Sequence, residues 1–221
     1  MNKRVHISVD DVVATLQRLT ESEYKSIYEE SFFWYMRLLH RLFGTKVTCY
    51  VFAHQAGWSI SDMPDRYRRE FESASDWLKF GFHAVSKEQK PDELMLDFAE
   101  QYQQVQDQLR RFAGEQSLAH VIRLHYWYYP KEYTMALKQN GVQAVLVRYD
   151  DSVEEIDGIS AWRTQICIEQ DKHIMRQIWN YHSDEPLVIF AHEWALTWKK
   201  KIKICFSNFL IRLRGYKFIC E

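Results

Sequence analysis

Val5-His6-Ile7-Ser8-Val9-Asp10-Asp11 (residues 5–11) alternates apolar and small polar side chains and then stops at two adjacent carboxylates. Side chains in a strand change face at every residue, so this spacing predicts a short strand with one buried face that ends at the rim of a sheet or barrel. Working outward, Thr20-Glu21-Ser22-Glu23 has the form of a capping box opening a helix that runs to Phe43, with Gly44 placed to terminate it. Lys46 to Ala53 is β-branched and aromatic and predicts a second strand. Pro64 to Ser75 predicts a short helix, and Leu78 to His83 a third strand. After Pro91, apolar Leu94, Phe98, Tyr102, Val105, Leu109 and Phe112 recur at helical spacing before Gly114. Val121 to Trp127 predicts strand four, Lys131 to Gln139 a helix, and Ala144 to Tyr149 strand five. Ile159 to Ile168 gives a further strand, Lys172 to Asn180 a helical turn or a hairpin arm, and Leu187 to His192 the last buried strand. A final helix over 195–214 is expected to bury Leu196, Trp198, Ile202, Phe206, Phe209 and Leu213.

Strands alternating with helices along the whole chain imply parallel strands joined by right-handed crossovers. The expected architecture is a single α/β domain, a distorted seven-stranded β/α barrel of the TIM-barrel kind. Its barrel core spans about 5–194, and an open doubly wound sheet is the second arrangement. Composition narrows the function. Lys plus Arg total 29 against 30 for Asp plus Glu, and apolar residues make up 47%, which fits neither a disordered chain nor a polybasic nucleic-acid clamp. With 7 Gly and 4 Pro, a turn-rich β-sandwich is also excluded. No glycine-rich phosphate loop is present, nor an apolar run of the roughly 18 residues that a membrane span needs. The four cysteines, Cys49, Cys167, Cys205 and Cys220, form no C-x-x-C pair, and the N-terminus shows no secretory signal. A soluble cytoplasmic protein is therefore expected.

In a parallel β/α fold the C-terminal ends of the strands converge on one mouth. Those ends carry Asp10-Asp11, His54, His83, Arg123-Leu124-His125 and His192-Glu193. Two adjacent carboxylates repel unless a cation offsets them. Asp11, His83 and His125 supply the three protein ligands of a catalytic zinc or similar divalent ion, and Asp10 is left to act as base on the activated water. Arg123 shares a strand face with His125 and can hold Asp10 ionised. Trp127 and Tyr128 are candidates to stack on a sugar ring, and His54 is a candidate substrate contact. Lys199-Lys200-Lys201 reads as the solvated side of the last helix.

These residues resemble the motifs of the polysaccharide deacetylase superfamily of carbohydrate esterases. Ser8-Val9-Asp10-Asp11-Val12 is similar to the family's Thr-Phe-Asp-Asp-Gly motif. His83-Ala84-Val85-Ser86-Lys87 is similar to its paired-histidine motif, with Lys87 at the second histidine. Arg123 matches the arginine that tethers the base, and His192 matches the late histidine that serves as general acid. The resemblance implies a distorted β/α barrel, a divalent metal, Asp10 as base and Asp11 as ligand. The activity it implies is removal of an acetyl group from an N-acetylated sugar or related amide. Two other readings stand beside it: a carbohydrate-binding scaffold that kept the barrel without the metal, and a hydrolase of glycosidic or phosphate ester bonds.

Overall fold

The computed structural model describes residues 3–88, 90 and 97–220; Pro91 and Leu94 of the helix expected before Gly114 lie outside them. In chain order the elements are β1 (Arg4–Val12), α1 (Ala14–Glu21), α2 (Ser31–Phe43), β2 (Val47–Gln55), β3 (Trp58–Ser59), α3 (Arg68–Ser73), β4 (Leu78–Ser86), α4 (Phe98–Ala113), β5 (Val121–Ile122), α5 (Lys131–Gln139), β6 (Ala144–Val147), β7 (Glu155–Ile156), β8 (Ile159–Cys167), α6 (Ile174–Asn180), β9 (Leu187–His192), α7 (Trp198–Leu213) and β10 (Lys217–Ile219). β2, β1, β9, β8, β6 and β5 pair in parallel in that order, and β4 pairs with β2 in parallel on the other flank. The sheet curls until β4 approaches β5, where a parallel bridge joins Phe80 to Leu118 and the Ala119 N–H donates to the Phe80 carbonyl at 2.8 Å. The fold is thus the expected single α/β domain with seven principal strands curled into a barrel.

Inside the barrel, Tyr50, Val121, Ala144, Leu146 and Val188 form an apolar floor. His6 is fully buried among them, its ring edge-on to Trp162. Burial, helped by the charge of Arg123, pushes the His6 imidazole down to about 3, so it stays neutral. The remaining apolar side chains pack between the sheet and the surrounding helices.

Three local expectations are corrected. Thr20 and Glu21 close α1 instead of opening a helix; the Thr20 hydroxyl donates back to the Leu16 carbonyl at 3.1 Å. Glu30 caps α2 instead, accepting from the Phe32 N–H at 2.6 Å. Strand four is shorter than expected, Val121–Ile122, and two consecutive residues beyond it, Tyr126 and Trp127, take left-handed backbone conformations, φ 60° and 61°, that turn the chain away from an extended path. Finally, α7 turns the opposite face inward. Ile204, Ser207, Asn208 and Ile211 are buried, while Trp198, Ile202, Phe206, Phe209 and Leu213 are exposed. The small and amide residues allow close approach, and the Thr45 hydroxyl donates to the Asn208 amide oxygen at 2.6 Å across the contact.

Glu193 has a structural task. Its carboxylate, only 7% exposed, accepts from the backbone N–H groups of Val13, Ala14 and Thr15 at 2.8, 3.0 and 2.6 Å. It thereby caps α1 from the far end of the chain, where the helix dipole favours a negative charge. Replacing Glu193 by Ala leaves these donors unpaired. The expected cost is about 2 to 3 kcal/mol, read as a lower denaturation midpoint with an unchanged denaturant slope.

Candidate metal centre and catalytic mouth

In a regular strand, neighbours such as Asp10 and Asp11 point to opposite faces. Here the pairing of β1 with β2 shifts between Val9 and Val12, and Asp11 adopts φ 58°. The bulge turns both carboxylates toward the mouth at the cost of about 1 kcal/mol or more of backbone strain. A second irregularity, between Val51 and Phe52 opposite Phe82 and Ala84, frames His83 on β4.

Asp11, His83 and His125 converge, with one potential ligand atom from each lying within 4.8 Å of the others. The proton positions are constrained by their partners. His83 Nδ1 lies 2.7 Å from the Arg123 carbonyl oxygen, which can only accept, so Nδ1 carries the proton and Nε2 presents a lone pair. That Nε2 faces Asp11 Oδ1 at 3.3 Å and His125 Nδ1 at 3.3 Å. The His125 ring also hydrogen-bonds the Lys87 backbone. Among the described residues Asp11 Oδ1 is buried with no hydrogen-bond partner, while its Oδ2 accepts from the Trp194 indole N–H at 2.8 Å. Acceptors turned toward one another with no proton between them fit a cation. The orienting bond from His83 to a backbone carbonyl is what a metal-ligating imidazole ordinarily makes. Burial, then the neighbouring His83, pushes His125 down to about 4, which keeps it in the neutral ligand form. Burial works against ionisation of Asp11, but a cationic imidazolium at His83 and the Trp194 indole N–H together hold it at about 2; with His83 neutral, the positive charge facing Oδ1 is the place a metal cation would take. Lys87 lines the adjoining cleft together with Asp11 and Trp194.

Beside this triad, Asp10 and Arg123 form a buried pair, 2% and 1% exposed, joined at 3.1 Å. Asp10 also accepts from Ser8 Oγ at 3.3 Å, and Arg123 donates to Thr164 Oγ1 at 3.1 Å. The guanidinium is flanked by Trp127 at 4.4 Å and Phe190 at 4.2 Å from their ring centres, so its orientation is over-determined. Asp10 pairs in register with His192 of β9. The His192 Nδ1–H donates to the Glu169 carboxylate, and its backbone N–H donates to the same oxygen at 3.1 Å. Burial pulls the His192 imidazole down, but Glu169 and the charges of Asp10 and Asp11 prevail and raise it.

A cavity of about 300 Å³ joins Asp10, His83, His125 and His192, with Tyr126, Trp127 and Arg148 on its walls. A larger one of about 650 Å³ continues from Trp127 and Arg148 past Gln170 and Tyr181. Not every sequence candidate is brought here. His54 is exposed beside a separate cavity with Ser59 and Gln101. The Tyr128 ring packs edge-on against Tyr133, and Tyr126 takes the place at the mouth, 4.1 Å from the His125 ring. Glu169 escaped sequence reasoning. Its signal was an acid just past the C-terminal end of a β-branched strand, at the same rim where His192 ends β9.

No family model and no curated protein matches the chain. Solved structures do. The polysaccharide deacetylase Bc1974 from Bacillus cereus superposes with a TM-score of 0.57 at 12% identity, over 100% of this chain and 92% of its own. The chain shares the polysaccharide deacetylase fold. The Bc1960 peptidoglycan N-acetylglucosamine deacetylase gives 0.57 at 13% identity, over 99% and 86% of the two chains. A 4-alpha-glucanotransferase from Thermococcus litoralis gives 0.60 at 14% identity, over 99% of this chain and 39% of its own. Likeness of fold to proteins with such different names does not choose a reaction, and that choice rests on the site itself.

Replacing Glu169 by Gln keeps a hydrogen-bond acceptor for His192 and removes its charge. With the raising influence gone, the His192 pKa falls and less imidazolium is present at neutral pH. Turnover is expected to drop about tenfold to a hundredfold, with the alkaline limb of the pH–rate profile moved to lower pH. An unmoved limb would show that His192 donates no proton in the rate-limiting step.

Proposed function

We propose that the protein is a metal-dependent hydrolase that removes the acetyl group from an N-acetylated sugar or related carbohydrate amide. The observation that carries this reading is the set of facing acceptors, Asp11 Oδ1, His83 Nε2 and His125 Nδ1, beside an Arg-tethered carboxylate that is not one of them. One carboxylate and two imidazoles suit Zn(II). When bound, the ion would supply the positive charge that polarises the acyl carbonyl and makes a water acidic enough to react near neutral pH. Asp10 accepts the proton of the attacking water, and the paired Arg123 guanidinium holds its carboxylate aimed at it. His192 Nε2, opposite the nitrogen bound to Glu169, delivers a proton to the departing amine. Acetate and a free amino sugar result. Trp127 and Tyr126 offer aromatic faces to the sugar ring.

The glycosidic rival needs two carboxylates working from either side of a bond. It gives no use to His83 and His125 beside Asp11, so the deacetylase reading is preferred. The scaffold reading requires Lys87 to have displaced the ion, yet His125 makes up the third ligand. The deciding experiment is acetate release from a panel of N-acetylated mono- and oligosaccharides by protein loaded with Zn(II), Co(II) or Mn(II). Metal-dependent acetate production is expected. Turnover of a glycosidic or phosphate ester substrate with no acetate released would replace this reading.

A further inference from the structure

At about 100° per residue, Trp198, Ile202, Phe206, Phe209 and Leu213 of α7 fall within an arc of about 80°. They are 75%, 40%, 62%, 55% and 65% exposed, and together they form an apolar stripe along the roughly 24 Å length of the helix. The same wheel sets Lys199 and Lys203 along one edge of the stripe and Lys201 and Arg212 along the other. Every charged side chain from Trp194 to Cys220 is a Lys or Arg; no Asp or Glu occurs there. Lys203 donates to the Ile168 and Asp171 carbonyl oxygens, and Lys201 lies over the Tyr35 ring, which leaves Lys199 and Arg212 exposed at the two ends.

This charge pattern selects the occupant. A two-fold contact with a second copy would lay the stripe on itself and bring its basic borders near their own kind, with no carboxylate in the segment to relieve them. An anionic bilayer satisfies both features at once. Aromatic and aliphatic side chains enter the headgroup–acyl boundary, and the flanking cations meet lipid phosphates. We propose that α7 is a membrane-surface docking helix that holds the protein, lying in the plane of the interface, on bilayers rich in anionic phospholipid. The proposal is independent of the reaction assigned above.

The test is co-sedimentation of the full chain with phosphatidylcholine vesicles, with and without about one-third phosphatidylglycerol, at low and high salt. The expected result is binding to the anionic vesicles about tenfold or more tighter than to neutral ones, weakened by salt. The Phe206→Asp/Phe209→Asp variant, altered only at exposed positions, should lose that binding about tenfold or more while keeping the wild-type circular dichroism spectrum. Should it fold poorly, Lys199→Glu/Arg212→Glu should remove the salt-sensitive part alone. Wild-type protein that stays in the supernatant with anionic vesicles would overturn the proposal. So would variants that sediment like the wild type, or a wild-type dimer in vesicle-free solution that Phe206→Asp/Phe209→Asp converts to monomer.

Discussion

Asp11→Asn and His83→Ala are each expected to strip the protein of its metal and, with it, of turnover. Wild-type protein refolded or dialysed with Zn(II) should retain about one ion per chain, and each variant much less than that. Among the described residues Asp11 Oδ1 has no hydrogen-bond partner, and His83 has committed its Nδ1 proton to the Arg123 carbonyl, which leaves Oδ1 and His83 Nε2 as buried acceptors that a cation would satisfy. The ion's charge stabilisation amounts to several kcal/mol, so activity should fall about a thousandfold or more. Chelation of the wild type should reproduce the loss, and added metal should restore the wild type but not the variants. His125→Ala is the sharper probe, because the proposed site depends on His125 for its third ligand where Lys87 replaces a histidine. If it left metal content unchanged, the triad would not be the site.

The sequence made the barrel legible because the information is local. A period of two in residues 5–9 and the β-branched runs at 47–53, 144–147 and 187–191 mark strands, and the intervening helical spacings mark crossovers. The mouth was legible for the same reason, since strand ends are where an α/β barrel concentrates chemistry. What was not legible depends on backbone exceptions and on partners far away in the chain. Nothing in Ser8-Val9-Asp10-Asp11 announces that φ 58° at Asp11 will turn two neighbouring carboxylates to one side. The consecutive left-handed residues Tyr126 and Trp127 likewise exchange which aromatic reaches the mouth, bringing Tyr126 in and sending Tyr128 to pack on Tyr133. Glu193, next in sequence to the proposed general acid His192, proved to be a helix cap, because its partners at residues 13–15 are set by the pairing of β1 with β9. In α7 the apolar period was clear, but a period says that a face is covered, not by what. Ser207 and Asn208 win the inner side through close packing and the bond to Thr45, and the larger apolar residues are left outside.

Asp10→Asn is expected to separate catalysis from metal binding. Asp10 is next to Asp11 in sequence, but its oxygens are engaged by Arg123 and Ser8 and it stands outside the ligand set. Asparagine preserves the shape and removes the base, so kcat should fall about a hundred- to ten-thousandfold while metal content stays at the wild-type level. It also leaves Arg123, 1% exposed, without its counter-ion. Breaking a buried pair from one side commonly costs about 3 to 5 kcal/mol. The lower end is expected here, because the guanidinium keeps Thr164 and the faces of Trp127 and Phe190. Arg123→Met should cost a similar amount of stability from the other side, since it buries the Asp10 charge alone. Single-turnover rates at a temperature well below both unfolding transitions keep the two effects apart. Loss of the metal in Asp10→Asn would make Asp10 a ligand, and near-wild-type turnover with metal retained would remove it from the reaction. Either result breaks the division of labour between the two adjacent carboxylates on which the hydrolytic mechanism depends.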